Sequence, residues 1–365
     1  MKKIDAELGK VREEIDSIDT NLQELLNKRA GLALKIGDIK QSVDGEIEPV
    51  YYRPEREAQI LARLQKNNQG PLSNADIARL FREIISCCLN LEQPLTIAYL
   101  GPSGTYTEAA AVKQFGQFAK TVASPSINEV FRQVEVGRAQ YGVVPVENST
   151  EGMVNHTLDC FIDTKLSICA EIELPIHHAF LIPRDASLED IIKIVSHPQS
   201  LAQCRRWLDE KFSDVPRISV NTNADAAMMA STQVGVAAIA GEVAADRYDL
   251  NIVETNIEDY SDNKTRFLVL GNQSVELSGN DKTSILVSCQ NEPGALFNVL
   301  EPFNRHGISL TRLETRPAKG GDWSYIFFID FDGHQSEEAV QAVLEEISAV
   351  AIEVRLLGSY PQAIV

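Results

Sequence analysis

The side chains best suited to chemistry fall into two groups of different character. Near the start they are cations, Arg12, Arg29, Lys40 and Arg56, with Glu57 beside the last. Further along they are small polar residues in four short motifs: GPSGTYTE (101–108), VPVENSTEG (144–152), SHPQSLAQC (196–204) and NKTRF (263–267). Clustered cations hold a small anion through charge-assisted hydrogen bonds, arginine in bidentate fashion. Ser, Thr, Asn, Gln and Glu at strand ends orient a ligand and move a proton. The chain carries 34 Lys+Arg against 52 Asp+Glu, a net charge of −18. A surface that acidic disfavours nucleic acid and anionic membranes. Any dianion site must therefore gather its own cations.

Helix geometry limits which cations can act together. Arg29 and Lys40 are about three turns apart, some 16 Å along one face, and long side chains converge over that span. Arg12 lies about 25 Å before Arg29 and is rotated by roughly a quarter turn. It cannot reach the same ligand from the same helix, but an antiparallel partner would bring it to the equivalent site.

The elements that must position these residues are legible in part. Ile4, Leu8, Val11, Ile15, Ile18, Leu22, Leu25, Arg29, Leu32, Ile36 and Ile39 alternate spacings of four and three, a heptad seam that predicts one long helix packed against a partner. Pro54, with Glu55 and Glu57 in the first turn, opens a second helix to about Lys66. Ser73 or Asn74 caps a third, with Ile77, Leu80, Phe81, Ile84, Ile85, Cys88 and Leu89 as its apolar stripe. This all-α unit ends near residue 94. From Leu95 to about 272 short buried strands alternate with helices, as in TIAYLGPSGTYTEAAAVKQFG, YGVVPVENS and TRFLVLG, which predicts an α/β region. SVELSGNDK is a polar linker. Residues 282–361 read strand, helix, strand, strand, helix, strand, the βαββαβ pattern of a ferredoxin-like α+β unit. Its second-hairpin strand begins at WSYIFFIDFDG.

No dinucleotide fingerprint GxGxxG is present, which argues against a nicotinamide-dependent dehydrogenase. Six cysteines without CxxC spacing read as reduced thiols. The N-terminus lacks an apolar signal region and no apolar run has membrane-spanning length, so a cytoplasmic protein is expected. No metal site is expected; His177 and His178 lack partners at ligand spacing, and His197 reads as structural.

VREEID…LLNKRAGLALKIGDIK…YRPERE…LFREIIS resembles the helical class of chorismate mutase, an intertwined dimer with two shared active sites. That resemblance implies that Arg12 (in trans), Arg29, Lys40 and Arg56 hold the substrate's carboxylates and Glu57 its hydroxyl. Cys88 stands where some members have serine, and Glu92 where some have glutamine. If Glu92 faces the ether oxygen it donates only when protonated, so mutase activity is expected to decline as pH rises. The rearrangement is pericyclic and needs no cofactor.

The four later motifs resemble prephenate dehydratase, with the TRF tripeptide the most specific. This implies two α/β lobes like a periplasmic binding protein. It places Glu147, Asn148, Ser196, Gln203, Thr265 and Arg266 at the cleft, with Ser103, Thr105, Tyr106, Asn223 and Phe267 nearby. Arg266 is expected to clamp a substrate carboxylate. Thr265 is a donor or relay to the leaving hydroxyl, and Glu147 is the alternative proton source. PGALF and ETRP resemble the two effector motifs of an ACT regulatory domain. They place Gly294, Ala295, Leu296, Phe297, Glu314, Thr315, Arg316 and Pro317 around phenylalanine at a subunit interface, with Thr315 where serine is usual.

Together the resemblances imply an enzyme that converts chorismate to prephenate and prephenate to phenylpyruvate, inhibited by phenylalanine. They imply a homodimer or higher homo-oligomer, with no nucleic acid or membrane partner and no cofactor. Two alternatives remain at this level: a dehydratase whose helical region is only a dimerisation arm, and a non-catalytic aromatic amino-acid sensor.

Overall fold

The computed structural model describes residues 2–42, 50–150, 152–317 and 325–363. Glu151 of the second motif, and Trp323 and Ser324 of a predicted strand, lie outside the described residues. Among the described residues no helix is long and apolar enough to cross a membrane.

The predicted helical unit is present as α1 (Lys2–Gln41), α2 (Pro54–Asn67) and α3 (Asn74–Glu92). Pro54 opens α2 with Glu55 and Glu57 in its first turn. The Ser73 hydroxyl accepts from the Asp76 amide at 3.1 Å and caps α3. The C-terminal part of α1 packs on α3. Gly37 makes that approach possible, since a Cβ there would lie 3.3 Å from the Glu92 backbone. Among the described residues nothing covers the rest of the seam within one chain. Leu8, Val11, Ile15, Ile18 and Leu22 are each about half exposed, and Leu25 is 63% exposed.

The α/β region forms two sheets. The first half holds β1 (Thr96–Leu100), α4 (Tyr106–Phe115), β2 (Lys120–Ser124), α5 (Ile127–Glu135), β3 (Tyr141–Asn148), β4 (Gly152–Met153), α6 (Asn155–Asp163) and β5 (Ser167–Pro175). The chain then crosses to the second half: β6 (Ala179–Pro183), β7 (Lys193–Ser196), α7 (Pro198–Gln203), α8 (Arg205–Lys211), β8 (Arg217–Ser219), α9 (Asn223–Thr232), β9 (Val236–Ala240), α10 (Glu242–Tyr248) and β10 (Leu250–Thr255). It returns as β11 (Lys264–Gly271), which inserts between β3 and β5. The first sheet runs β2-β1-β3-β11-β5, with β4 on β3, and the second runs β10-β6-β9-β7-β8. The two crossings lie side by side: the Ile176 amide donates to Asn263 O at 2.8 Å, and the Ile257 amide to His178 O at 3.1 Å. Motif residues from both sheets meet there.

A third sheet, β13-β14-β12-β15, is built from β12 (Asp281–Cys289), α11 (Ala295–Arg305), β13 (Leu310–Pro317), β14 (Tyr325–Asp332), α12 (Glu338–Val350) and β15 (Glu353–Pro361). Its strands pair antiparallel. Ile285, Val287, Phe327 and Ile329 bury one face beneath the two helices. Leu286, Ile326, Phe328 and Tyr360 on the other face join one core with Val144 and Leu268 of the first sheet and Phe161 of α6. Alternate strand positions thus feed two separate cores. Gly358 lets β15 lie against β5, because a Cβ there would sit 2.3 Å from Ile168 O.

Tyr52 ties the helical unit to the first sheet. Its ring packs on Phe115 and Tyr141. Its hydroxyl accepts from Gln114 Nε2 at 2.6 Å, and its carbonyl from Gln273 Nε2 at 3.1 Å.

Candidate active sites

A cavity of about 530 Å³ opens between the three helices, and Arg29, Lys40, Arg56, Glu57, Cys88 and Glu92 all line it. The backbone supplies the reason. The C-terminal half of α1 brings Arg29 and Lys40, the first turn of α2 brings Arg56 and Glu57, and the last turns of α3 bring Cys88 and Glu92. Lys40 Nζ lies 3.3 Å from Glu92 Oε2, 3.4 Å from Tyr51 O and 4.9 Å from the Tyr51 ring. Glu92 is therefore a partnered wall residue rather than a frayed helix end. Arg29 donates to Ile84 O at 3.3 Å. Arg12 is exposed far along α1 and is not brought to this cavity within one chain.

Three features of this cavity have no signal in local sequence. Arg82 on α3 approaches Glu57 at 3.6 Å. Burial pushes the Glu57 carboxyl up to about 7 against the opposing pull of Arg82. Glu276, from the segment read only as a polar linker, also lines the cavity and meets Arg53 at 3.1 Å.

The second site lies where the two α/β halves cross. Asn148 Nδ2 donates to Thr265 Oγ1 at 2.9 Å and to Asn263 Oδ1 at 3.0 Å. Asn263 Nδ2 in turn reaches Gln203 Oε1 at 3.4 Å. Three of the four motifs, from different strands and helices, therefore converge on one hydrogen-bonded row. The fourth joins through Tyr106, whose hydroxyl lies 2.8 Å from His178 Nδ1, while His178 Nε2 lies 2.8 Å from Gln203 Oε1. Two openings flank the row. One of about 260 Å³ is lined by Glu147, Thr265, Lys264, Lys282 and Arg312, and one of about 490 Å³ by Thr150, Gln203, Tyr260 and Asn263; Ser149 borders both.

Other motif residues serve the scaffold. Ser196 Oγ donates to Ile239 O at 2.6 Å and lies 3.0 Å from Asn223 Oδ1, which Ser200 Oγ also approaches at 3.0 Å. Asn223 thus organises the turn into α7. Thr105 caps α4 and donates to Leu100 O at 3.1 Å. Ser103 Oγ lies 3.0 Å from the Tyr99 hydroxyl.

Arg266 lines the smaller opening, as expected of a cleft residue, but its guanidinium is not free to clamp a ligand. It is 7% exposed, with Nε on Glu171 at 2.7 Å, Nη1 on Asp330 at 2.6 Å and Nη2 on the Tyr360 hydroxyl at 3.0 Å. It alternates with Thr265 along β11, so its side chain turns toward the third sheet. Lys282 and Ser284 complete this buried network through Glu171 and Asp330. Phe267 is 1% exposed in the core with Tyr99, Ile172 and Val269, and its part is packing.

At the third sheet Gly294 adopts φ +87° and opens α11 at Ala295. That left-handed backbone favours glycine. Leu296 packs on the core, and Phe297 is 67% exposed. Thr315 pairs with Phe327 and so points to the same side of the sheet, where it is exposed on the edge strand. Glu314 and Arg316 pair with Phe328 and Ile326 on the opposite face. Arg316 departs from the effector expectation, since it holds Asp159 of α6 at 2.7 and 2.9 Å. Pro317 closes β13 at the sheet edge.

Three family models match the chain in order: chorismate mutase type II over residues 11–93, prephenate dehydratase over 97–275 and the ACT domain over 283–349. The bifunctional chorismate mutase/prephenate dehydratase of Pseudomonas aeruginosa is 52% identical over 359 residues, covering 98% of each chain. Those of Aquifex aeolicus and Escherichia coli K12 are 44% and 31% identical, covering 98% and 96% of this chain and 99% and 95% of theirs. A prephenate dehydratase from Arthrobacter aurescens, solved in complex with L-Phe, superposes with a TM-score of 0.68 at 33% identity, covering 74% of this chain and 90% of its own. A structure described as GqqA, a novel type of quorum-quenching acylase, also superposes at 0.68, with 27% identity over 73% of this chain and 98% of its own. The chain belongs to the bifunctional chorismate mutase/prephenate dehydratase family.

Proposed function

We propose that the chain rearranges chorismate to prephenate in a helical domain, residues 1–94, and converts prephenate to phenylpyruvate in a dehydratase domain, residues 95–272. An ACT domain, residues 282–361, imposes inhibition by phenylalanine. The observation that carries this reading is the convergence of Asn148, Thr265, Asn263 and Gln203 on one row beside two openings. The paired sheets joined by two crossings support a two-lobed, periplasmic-binding-protein-like dehydratase. The order β13-β14-β12-β15 supports a ferredoxin-like ACT unit.

In the mutase cavity Arg29 and Arg56 bind the carboxylates of chorismate, and Glu57 accepts its hydroxyl. Lys40 stands at the developing negative charge of the ether oxygen, with Glu92 beside it as a donor only when protonated. The bond changes are internal to the substrate, so the residues act by holding the reactive conformer and by electrostatics. Arg12 is supplied by a second copy. The exposed seam of α1 supports that assembly, because ten or so apolar side chains along one helix face are costly to leave in water.

In the dehydratase cleft the bond from ring to carboxylate breaks and releases CO₂. Its electron pair enters the ring, and the hydroxyl leaves as water after taking one proton. Because Thr265 Oγ1 accepts from Asn148, its own proton is free to point at the leaving oxygen. Glu147 is engaged by Arg312, which favours Thr265 over Glu147 as the donor. Lys264, which lines the same opening, takes the anchoring role in place of the paired Arg266. The test is Thr265→Val, expected to lower prephenate turnover by at least about 100-fold while chorismate turnover is unchanged. Equal dehydratase activity in wild type and Thr265→Val would remove Thr265 from the chemistry.

A further inference from the structure

We infer that His178 is a positioning residue of the dehydratase reaction: its ring sets the orientation of the Gln203 amide so that the Nε2 hydrogens face the cleft and donate to an anionic oxygen of prephenate. This rests on the dehydratase reading above.

Gln203 ends α7 in the second half, and its main chain is held where Asp259 N donates to Gln203 O at 2.7 Å. Its side chain lines the larger opening. The Nε2 group is buried and has no hydrogen-bond partner among the described residues. A buried amide donor left unmade is costly, so such a group is either a defect or a ligand contact. The ligand that arrives here carries two carboxylates and a hydroxyl.

Hydrogen-bond bookkeeping fixes which end of the amide faces outward. His178 is nearly fully buried, and burial lowers its pKa, so the ring is neutral and carries one N–H. Suppose that hydrogen sat on Nδ1. Nε2 would then be an acceptor, and the Gln203 amide would have to turn its NH₂ inward. That NH₂ would then face Asn263 Nδ2, donor against donor, at 3.4 Å. The alternative leaves only an exposed carbonyl to solvent. The Tyr106 hydroxyl lies 2.8 Å from both His177 O and His178 Nδ1 and turns its one proton to Nδ1, so the exposed His177 O is left to water. Nε2–H donates to Gln203 Oε1 at 2.8 Å, and Asn263 Nδ2 donates to the same oxygen. With Oε1 held twice, the NH₂ is left to the cleft. A chain from Tyr106 through His178 thus sets a donor that the substrate uses, and joins the first motif to the third.

Dehydratase kinetics of His178→Phe, His178→Gln, Gln203→Ala and the His178→Phe/Gln203→Ala double variant test this, with mutase turnover of each preparation as the folding control. Phe removes the N–H, whereas Gln restores one at a similar reach. His178→Phe and Gln203→Ala should each lose about 10- to 100-fold in kcat/KM for prephenate. His178→Gln should stay within a few-fold of wild type, and the double variant should be no worse than Gln203→Ala alone. Losses that multiply in the double variant, or a His178→Gln as impaired as His178→Phe, would overturn the inference. If His178→Phe fails to fold, ring ¹⁵N shifts of the wild type decide it: protonation at Nε2 supports the chain, and protonation at Nδ1 overturns it. A wild type that turns over chorismate but not prephenate overturns the dehydratase reading itself, and the inference with it.

Discussion

Arg312 reaches from β13 of the third sheet to ion-pair with the carboxylate of Glu147, the neighbour in sequence of the Asn148 that holds Thr265. The strand bearing Glu314 and Thr315 therefore touches the dehydratase row through one side chain. Any rearrangement of β13 that withdraws or rotates Arg312 changes the charge beside Thr265. Coupling between two sites needs a difference in contacts between two states, and this ion pair is a contact that such a change would break.

Arg312→Gln should consequently uncouple regulation. The phenylalanine concentration for half-inhibition of phenylpyruvate formation should rise about tenfold or more, with mutase turnover unchanged. Unaltered inhibition in Arg312→Gln would place the coupling elsewhere.

Arg266 predicts a stability effect instead of a binding effect. Removing it leaves Glu171 and Asp330 buried with fewer counter-charges, although Lys282 and Arg312 remain near them. Breaking a buried pair from one side costs about 3–5 kcal/mol. Arg266→Met should lower the thermal midpoint of the dehydratase and ACT unit by several degrees. The KM for prephenate of whatever remains folded should change little. A raised KM with an unshifted midpoint would restore the clamp role.

Glu57 carries a pH signature. Its carboxyl is raised to about 7 by burial, against Arg82. Below that value it is mainly protonated and offers the substrate hydroxyl a weaker acceptor; above it the carboxylate is available. The KM for chorismate should therefore fall as pH rises from about 6 to 8, with a change of up to tenfold per unit on the acid side. Glu57→Gln should flatten that limb. The limb has the opposite sign to the decline expected from a protonated Glu92, so the Glu57→Gln and Glu92→Gln profiles separate the two carboxyls.

The trans role proposed for Arg12 predicts complementation. Arg12→Ala and Arg29→Ala homodimers should each lack mutase activity, whereas subunits mixed under exchange conditions should recover about a quarter of wild-type turnover. In a heterodimer one site carries both substitutions and the other carries neither. No recovery after demonstrated exchange would place Arg12 outside the shared site.

The helices and the site they frame were largely legible in sequence. The spacing of Arg29 and Lys40 is a property of one helix, and Pro54 and Ser73 mark helix starts through local backbone chemistry. Thr265 and Asn148 were legible as strand-end polar residues. Arg266 was misread because its neighbours Thr265 and Phe267 gave no sign of which face of β11 meets another sheet. That depends on Glu171 and Asp330, 95 and 64 residues away in sequence. Arg82, Glu276 and His178 were missed for the same reason. Each acts through a partner that only tertiary packing supplies, and no local period marks such a pair.

The most direct measurement is a turnover assay of the purified full-length protein on chorismate, following prephenate and phenylpyruvate separately, with and without millimolar phenylalanine. Prephenate should rise first and phenylpyruvate follow, with the second step suppressed by phenylalanine. Phenylpyruvate from supplied prephenate with chorismate untouched would reduce the helical domain to a dimerisation element, and turnover of neither substrate by a folded oligomer would contradict the enzymatic reading altogether.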